Sequence, residues 1–212
     1  MPILPSLSYE VAAAKTLIPM IGETRRELLE SLGNWIGARV QAGKNAELVF
    51  VCTHNSRRSH LGQVWAKTMA TVYGIAGVET FSAGTEATAC HPNTIGALAA
   101  QGFAIEKGQG ENPVYRVAFA ENLDPSLCWS KVWSDDANPK SGFAAVMVCG
   151  NADKNCPIIP GCDLRLGITY VDPKAADGSL DQDAAYRTRS LQIAAEMAYV
   201  MSCAAEKREA SV

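Results

Sequence analysis

The sequence predicts an open, parallel α/β sheet with helices on both faces. Three observations carry this expectation. Short apolar runs alternate with segments of helical period, the run 143–149 carries no charge at all, and four chemically capable side chains fall at the carboxyl ends of the expected strands. Strands connected through helices are parallel with right-handed crossovers, and such sheets bind ligands beyond their strand tips.

The first 46 residues read as a helical extension. "SYEVAAAKTLI" opens on Ser8 as a cap, Pro19 interrupts it, and "ETRRELLESLGNWIGARVQAG" continues with apolar residues at helical intervals up to Gly43. Trp35, Ile36 and Val40 form an apolar face, which either covers the sheet or makes a homodimer contact. The main domain is expected over residues 47–212. "AELVFV" is a buried strand, "SHLGQVWAKTMATVYG" a helix ending at Gly74, and "VETFSAG" a second strand. "HPNTIGALAAQGF" is a helix with Pro92 in its first turn, and "FAAVMVC" a third strand. "LGITYVDP" is expected as the fourth, before a long C-terminal helix. Residues 109–142 follow neither period and read as an insertion.

The chain's chemistry is local. A net charge of −3 gives no global attraction to nucleic acid or anionic lipid, so the pair Arg57-Arg58 is a device of its own loop. No apolar run is long enough to span a bilayer, and the N-terminus lacks the pattern of a secretory signal. Seven cysteines, an odd number without the spacing of a disulfide framework, point to free thiols in a reducing cytoplasm. None has a zinc-like spacing with histidine.

The richest stretch is Cys52-Thr53-His54-Asn55-Ser56-Arg57-Arg58-Ser59, between a strand and a helix. Such a loop turns successive N–H groups inward, and the helix N-terminus adds positive partial charge. The bowl suits a tetrahedral oxyanion and favours the thiolate of Cys52. Arg58 can return over it as a planar fork, and Ser59 can donate its hydroxyl to the sulfur. A Cys-x5-Arg spacing alone arises by chance in about one such chain in three; the flanking strand, helix and serine make it specific. His54 is expected to face solvent, and His60 and His91 to start helices. Cys149 and Cys156 lie seven residues apart in "VCGNADKNCPIIPG", a polar segment in which two thiols can close a disulfide. Asp172, held by Pro173, suits a general acid, although Asp-Pro is also an ordinary turn.

The loop of residues 52–59 with Asp172-Pro173 resembles the low-molecular-weight protein tyrosine phosphatases. Within that superfamily, "VCGNADKNCPIIP" and "FSAGTEATACHPNTIGALAAQGFAI" resemble the thioredoxin-coupled arsenate reductases. The resemblance covers residues 47–108 and 144–212. It implies that Cys52 attacks arsenate while Arg58 and the amides of Thr53, His54, Asn55, Ser56, Arg57 and Ser59 bind its oxygens. Asp172 then protonates the leaving hydroxyl, Cys149 attacks Cys52, and Cys156 attacks Cys149, leaving a disulfide for thioredoxin. No bound cofactor is implied. Many relatives carry cysteine and glycine where Arg57 and His54 stand, and Arg57 is expected to add charge near the thiolate. Some of these reductases hold potassium beside the loop; Asn55 and Ser82 match that site, but its glutamate is Gln63 here. The alternative is a phosphatase working through a phosphocysteine. Lys174, Ala175 and Ala176 replace the aromatic residues with which tyrosine phosphatases grip their substrate. A non-enzymatic oxyanion-binding or redox-sensing module is a third reading.

Overall fold

A computed structural model describes residues 2–155 and 158–209 of the chain. Four parallel strands form the main sheet: β1 (Ala46–Cys52), β2 (Val78–Gly84), β6 (Phe143–Met147) and β7 (Cys162–Leu166), in the order β2-β1-β6-β7. In β1 only Glu47 is not buried, and β6 is buried along its whole length, as central parallel strands covered on both faces require. Register pairs Ala46 with Val78 and Leu48 with Ala144, which brings Cys52 opposite Gly84 at one edge.

Helices flank the sheet: α1 (Ser8–Leu17), α2 (Glu23–Gln41), α3 (Arg58–Val72), α4 (Pro92–Ala100), the short α5 (Gly150–Asn155) and α6 (Gln182–Glu209). No helix of the described residues is long and apolar enough to cross a membrane. α3 lies directly on β1, for a Cβ at Gly62 would come within 2.4 Å of the Phe50 ring. Trp65, fully buried on the same helix, packs edge-on against Phe103 at 5.0 Å. Burial of one such side chain contributes about 2–3 kcal/mol.

The N-terminal extension packs on α6. Gly33 and Gly37, one turn apart on α2, let the two helices touch, since a Cβ at either position would meet α6 atoms at 2.7–2.9 Å. Leu29, Leu32 and Ile36 are completely buried there, so Ile36 of the expected apolar face is spent within the chain. Arg39 covers Trp35 at 5.3 Å. Ser8 makes no side-chain cap: α1 begins at Ser8 itself, and Leu7, a completely buried residue, stands at the cap position.

Two expectations are corrected. The fourth strand is β7, not the run 166–173. Beyond Leu166 the chain leaves the sheet, keeping one ladder-like bond from Tyr170 N–H to Val148 O at 3.1 Å. The turn is made where Gly167 meets the Asp153 carboxylate, which a Cβ would approach to 3.0 Å. Residues 109–142 are also more regular than their pattern suggests. β4 (Tyr115–Ala118) and β5 (Ser126–Cys128) join β3 (Ala104–Lys107) in a small antiparallel sheet. This region then bonds the edge of β2, through Gly84 N–H to Lys131 O at 2.8 Å and Trp133 N–H to Gly84 O at 3.1 Å.

Candidate active site

Cys52 is the last residue of β1, and residues 53–57 turn the chain into α3. Among the described residues, none of the N–H groups of residues 53–57 has a hydrogen-bond acceptor, and α3 begins without a side-chain cap. Backbone donors left in this way are costly unless something outside the chain binds them. The Nε of Arg58 is likewise buried and unpartnered. A run of free donors at the N-terminus of a fifteen-residue helix is an arrangement that can receive an oxyanion.

The loop is held from behind. Asn55 adopts the left-handed region, φ 45°, the one non-glycine residue to do so among the described residues. Its side chain secures that conformation: Nδ2 donates to Ser59 Oγ at 2.9 Å, and Oδ1 accepts from Lys131 N–H at 2.9 Å. Ser59 Oγ in turn lies 3.1 Å from Cys52 Sγ. Ser59 Oγ accepts from the Asn55 amide, which leaves the hydroxyl proton free to be donated to the sulfur. Thr85 and Glu86 N–H bond the carbonyls of Cys52 and Thr53, and Ser130 Oγ and Thr88 Oγ1 both bond His54 O. Gly84 sits so close that a Cβ would lie 2.7 Å from Thr53 O and 2.8 Å from Asn55 N.

The two arginines divide their tasks. Arg58 donates from NH2 to Asp172 Oδ2 at 2.5 Å and from NH1 to Tyr170 O at 2.7 Å, which brings Asp172 to the rim of the bowl. Asp172 also caps the 3-10 turn Pro173–Ala176. Arg57 points elsewhere, contrary to the expected charge beside the thiolate. Its Nε bonds Tyr186 Oη at 2.6 Å and its NH2 bonds Asp177 at 2.7 Å. Tyr186 and Asn93 also donate to Asp177, and together with the Arg57 charge they overcome the effect of burial and hold its carboxyl below the usual range. Arg57 therefore ties the loop to α4, α6 and the segment following Asp172, leaving only its backbone amide for an anion.

Cys149 lies two residues beyond β6, buried, with its sulfur 3.4 Å from Thr53 Oγ1 and accepting Ala152 N–H at 3.3 Å. The polar stretch after it forms α5 up to Asn155, and Cys156 lies outside the described residues. Cys149 is a free thiol, as is Cys52. The histidines differ from one another. His54 is half exposed beside Glu86 at 3.0 Å. His91 caps α4, its Nδ1 accepting from Asn93 N–H. His60 is in the first turn of α3 but completely buried behind the loop, where burial and the nearby Lys131 charge lower its pKa to about 3. Ser82, expected beyond a strand tip, lies inside β2 and bonds His60.

Sequence reasoning missed the supports. Lys131 and Ser130 come from the insertion, and Asp177 and Tyr186 from α6 and the loop before it. Arg25, from the extension, bonds Thr169 O at 3.2 Å, pairs with Glu196 at 2.7 Å and stacks on Tyr170 at 4.9 Å, so it props the segment carrying Asp172.

Residues 47–121 match the family model of the low molecular weight phosphotyrosine protein phosphatases. An arsenate reductase of Bacillus licheniformis is 24% identical over 143 residues, 67% of this chain and 84% of that one. The low molecular weight protein tyrosine phosphatase of T. tengcongensis superposes with a TM-score of 0.51 at 13% identity, over 74% of this chain and 99% of its own. This protein thus has the fold of a low molecular weight protein tyrosine phosphatase, and its sequence is similar to an arsenate reductase.

Proposed function

We propose that this protein reduces arsenate to arsenite by a relay of three thiols in the cytoplasm. The observation that carries the reading is the second buried thiol: Cys149 Sγ lies 3.4 Å from the hydroxyl of Thr53, the residue next to the nucleophile. A hydrolase has no need of a thiol there.

The amides of residues 53–59 and the Arg58 guanidinium bind the oxygens of arsenate in the bowl. Cys52, as the thiolate, attacks arsenic(V), and one hydroxyl departs with the proton of Asp172. Arg58 exchanges its contact with Asp172 for the oxyanion, which frees the carboxyl to act as the acid. Cys149, as the thiolate, attacks the Cys52 sulfur; the S–As electron pair passes to arsenic, which leaves as arsenite, and a Cys52–Cys149 disulfide forms. Cys156 attacks Cys149, releasing the Cys52 thiolate and moving the disulfide to Cys149–Cys156. An external dithiol protein of the thioredoxin class takes up that disulfide and returns two thiols.

The second reading is a phosphatase, and the completeness of the Cys52, Ser59, Arg58 and Asp172 set favours it. Phosphocysteine chemistry needs nothing further. One preparation distinguishes the two. Protein is quenched with an alkylating agent during arsenate turnover with thioredoxin and thioredoxin reductase, then mapped by mass spectrometry. A Cys149–Cys156 bridge is expected, with a Cys52–Cys149 bridge accumulating in Cys156→Ser. If Cys149→Ser and Cys156→Ser turn over phosphoester at the native rate and neither bridge forms with arsenate, the protein is a phosphatase.

A further inference from the structure

Asn55 and Ser82, the two residues that match a potassium site by resemblance, are joined here by a side chain of the protein itself. A potassium ion is held by a shell of oxygens that replaces its water. In this chain the imidazole of His60 spans the two, with Nε2 2.8 Å from Asn55 O and Nδ1 3.0 Å from Ser82 Oγ. A carbonyl can only accept, so the proton is on Nε2 and the serine hydroxyl donates to Nδ1. The remaining donor set is spent as well. Asn55 Oδ1 is taken by Lys131 N–H, and Gln63 Oε1 faces the Cys128 thiol, which donates to it at 3.9 Å, while its Nε2 donates to Leu127 O. The amide of Gln63 carries no charge to balance a cation, and Lys131 is a buried amine in the same neighbourhood. These residues do not fit potassium.

We infer that His60 is a positioning residue that takes the place of the cation, pinning the left-handed Asn55 of the oxyanion loop to β2 through its two ring nitrogens. An ion would order the loop from outside, by mass action; His60, a residue of the chain itself, does so through two hydrogen bonds and at every salt composition. The inference concerns the loop alone and holds for a reductase or a phosphatase.

The test uses the full chain and inorganic phosphate as the probe, with phosphate affinity read from protection of Cys52 against alkylation. Thermal midpoint and phosphate affinity are compared in potassium, sodium and choline chloride at equal ionic strength. The expected result is a midpoint constant to about 1 °C and an affinity constant within about twofold, since no cation is bound. A threefold or larger gain in phosphate affinity in potassium over sodium overturns the inference. The variant His60→Ala is expected to bind phosphate about tenfold more weakly or worse, because Asn55 O is left without its donor. His60→Gln, whose amide can still donate to that carbonyl, should recover most of the loss. A folded His60→Ala with native phosphate affinity also overturns it. The cation comparison is made on the native protein, so it decides the matter even if His60→Ala fails to fold.

Discussion

Replacing Gly84 by alanine adds one methyl group at the place where β2 touches the oxyanion loop. The new Cβ would lie 2.3 Å from Glu86 O, 2.7 Å from Thr53 O and 2.8 Å from Asn55 N. Non-bonded carbon contacts relax near 3.5 Å, so Glu86 O must retreat by about 1 Å and the loop atoms by about 0.7 Å. None of the three is a flexible side chain. Thr53 O is fixed by Glu86 N–H and by Thr85 Oγ1, and Gly84 by its own bonds to Lys131 and Trp133. Overpacking of this kind costs about 1–3 kcal/mol. A displacement approaching 1 Å in groups that bind the reacting anion costs about 100-fold in rate. Gly84→Ala is therefore expected to lower the urea midpoint modestly and to reduce arsenate turnover and phosphate protection of Cys52 by about two orders of magnitude. Turnover and phosphate affinity both within threefold of the native protein would show that this contact does not set the loop's geometry.

Two further outcomes follow from the supports of the site. Arg25→Ala leaves the buried Glu196 without its ion pair and Thr169 O without a donor, so it should cost about 2–4 kcal/mol in urea unfolding. It should also lower kcat while leaving phosphate affinity near native, because it loosens the Asp172 segment and not the bowl; an unchanged kcat would refute this route. Lowering the pH tests His60, whose pKa falls from about 6.5 unfolded to about 3 folded. Below pH 6.5 the unfolded chain binds the extra proton, so this contribution is complete above pH 6.5 and is lost as pH falls toward 3. Between pH 6.5 and 5 the native protein should lose about 2 kcal/mol more than His60→Gln, measured as urea unfolding, and parallel curves for the two proteins would count against it.

The nucleophile loop was legible because its chemistry is contiguous. Cys52, Arg58 and Ser59 sit within eight residues between an apolar run and a helical period, so local geometry alone delivers the thiol, the fork and the hydroxyl to one place. Strands β1 and β6 were legible for a related reason: central parallel strands must be apolar on both faces, as "LVFV" and "FAAVM" are. β7 was misplaced because an edge strand is paired on one side only. Its sequence "CDLRL" carries two charges, whereas the run that follows buries Ile168 and Tyr170 without joining a ladder. The insertion escaped because three- and four-residue strands are too short for a period to show.

By itself the sequence determined the parallel α/β class, the oxyanion loop and the residues able to act in it, since each depends on neighbours along the chain. Tertiary structure alone decided which charges reach the bowl and which are spent outside it. Arg57 and Arg58 are adjacent and alike in chemistry, yet one is bound to Asp177 and Tyr186 and the other to Asp172. Partners more than a hundred residues away made that choice, as they did for Arg25, and no local pattern records where a distant partner will stand.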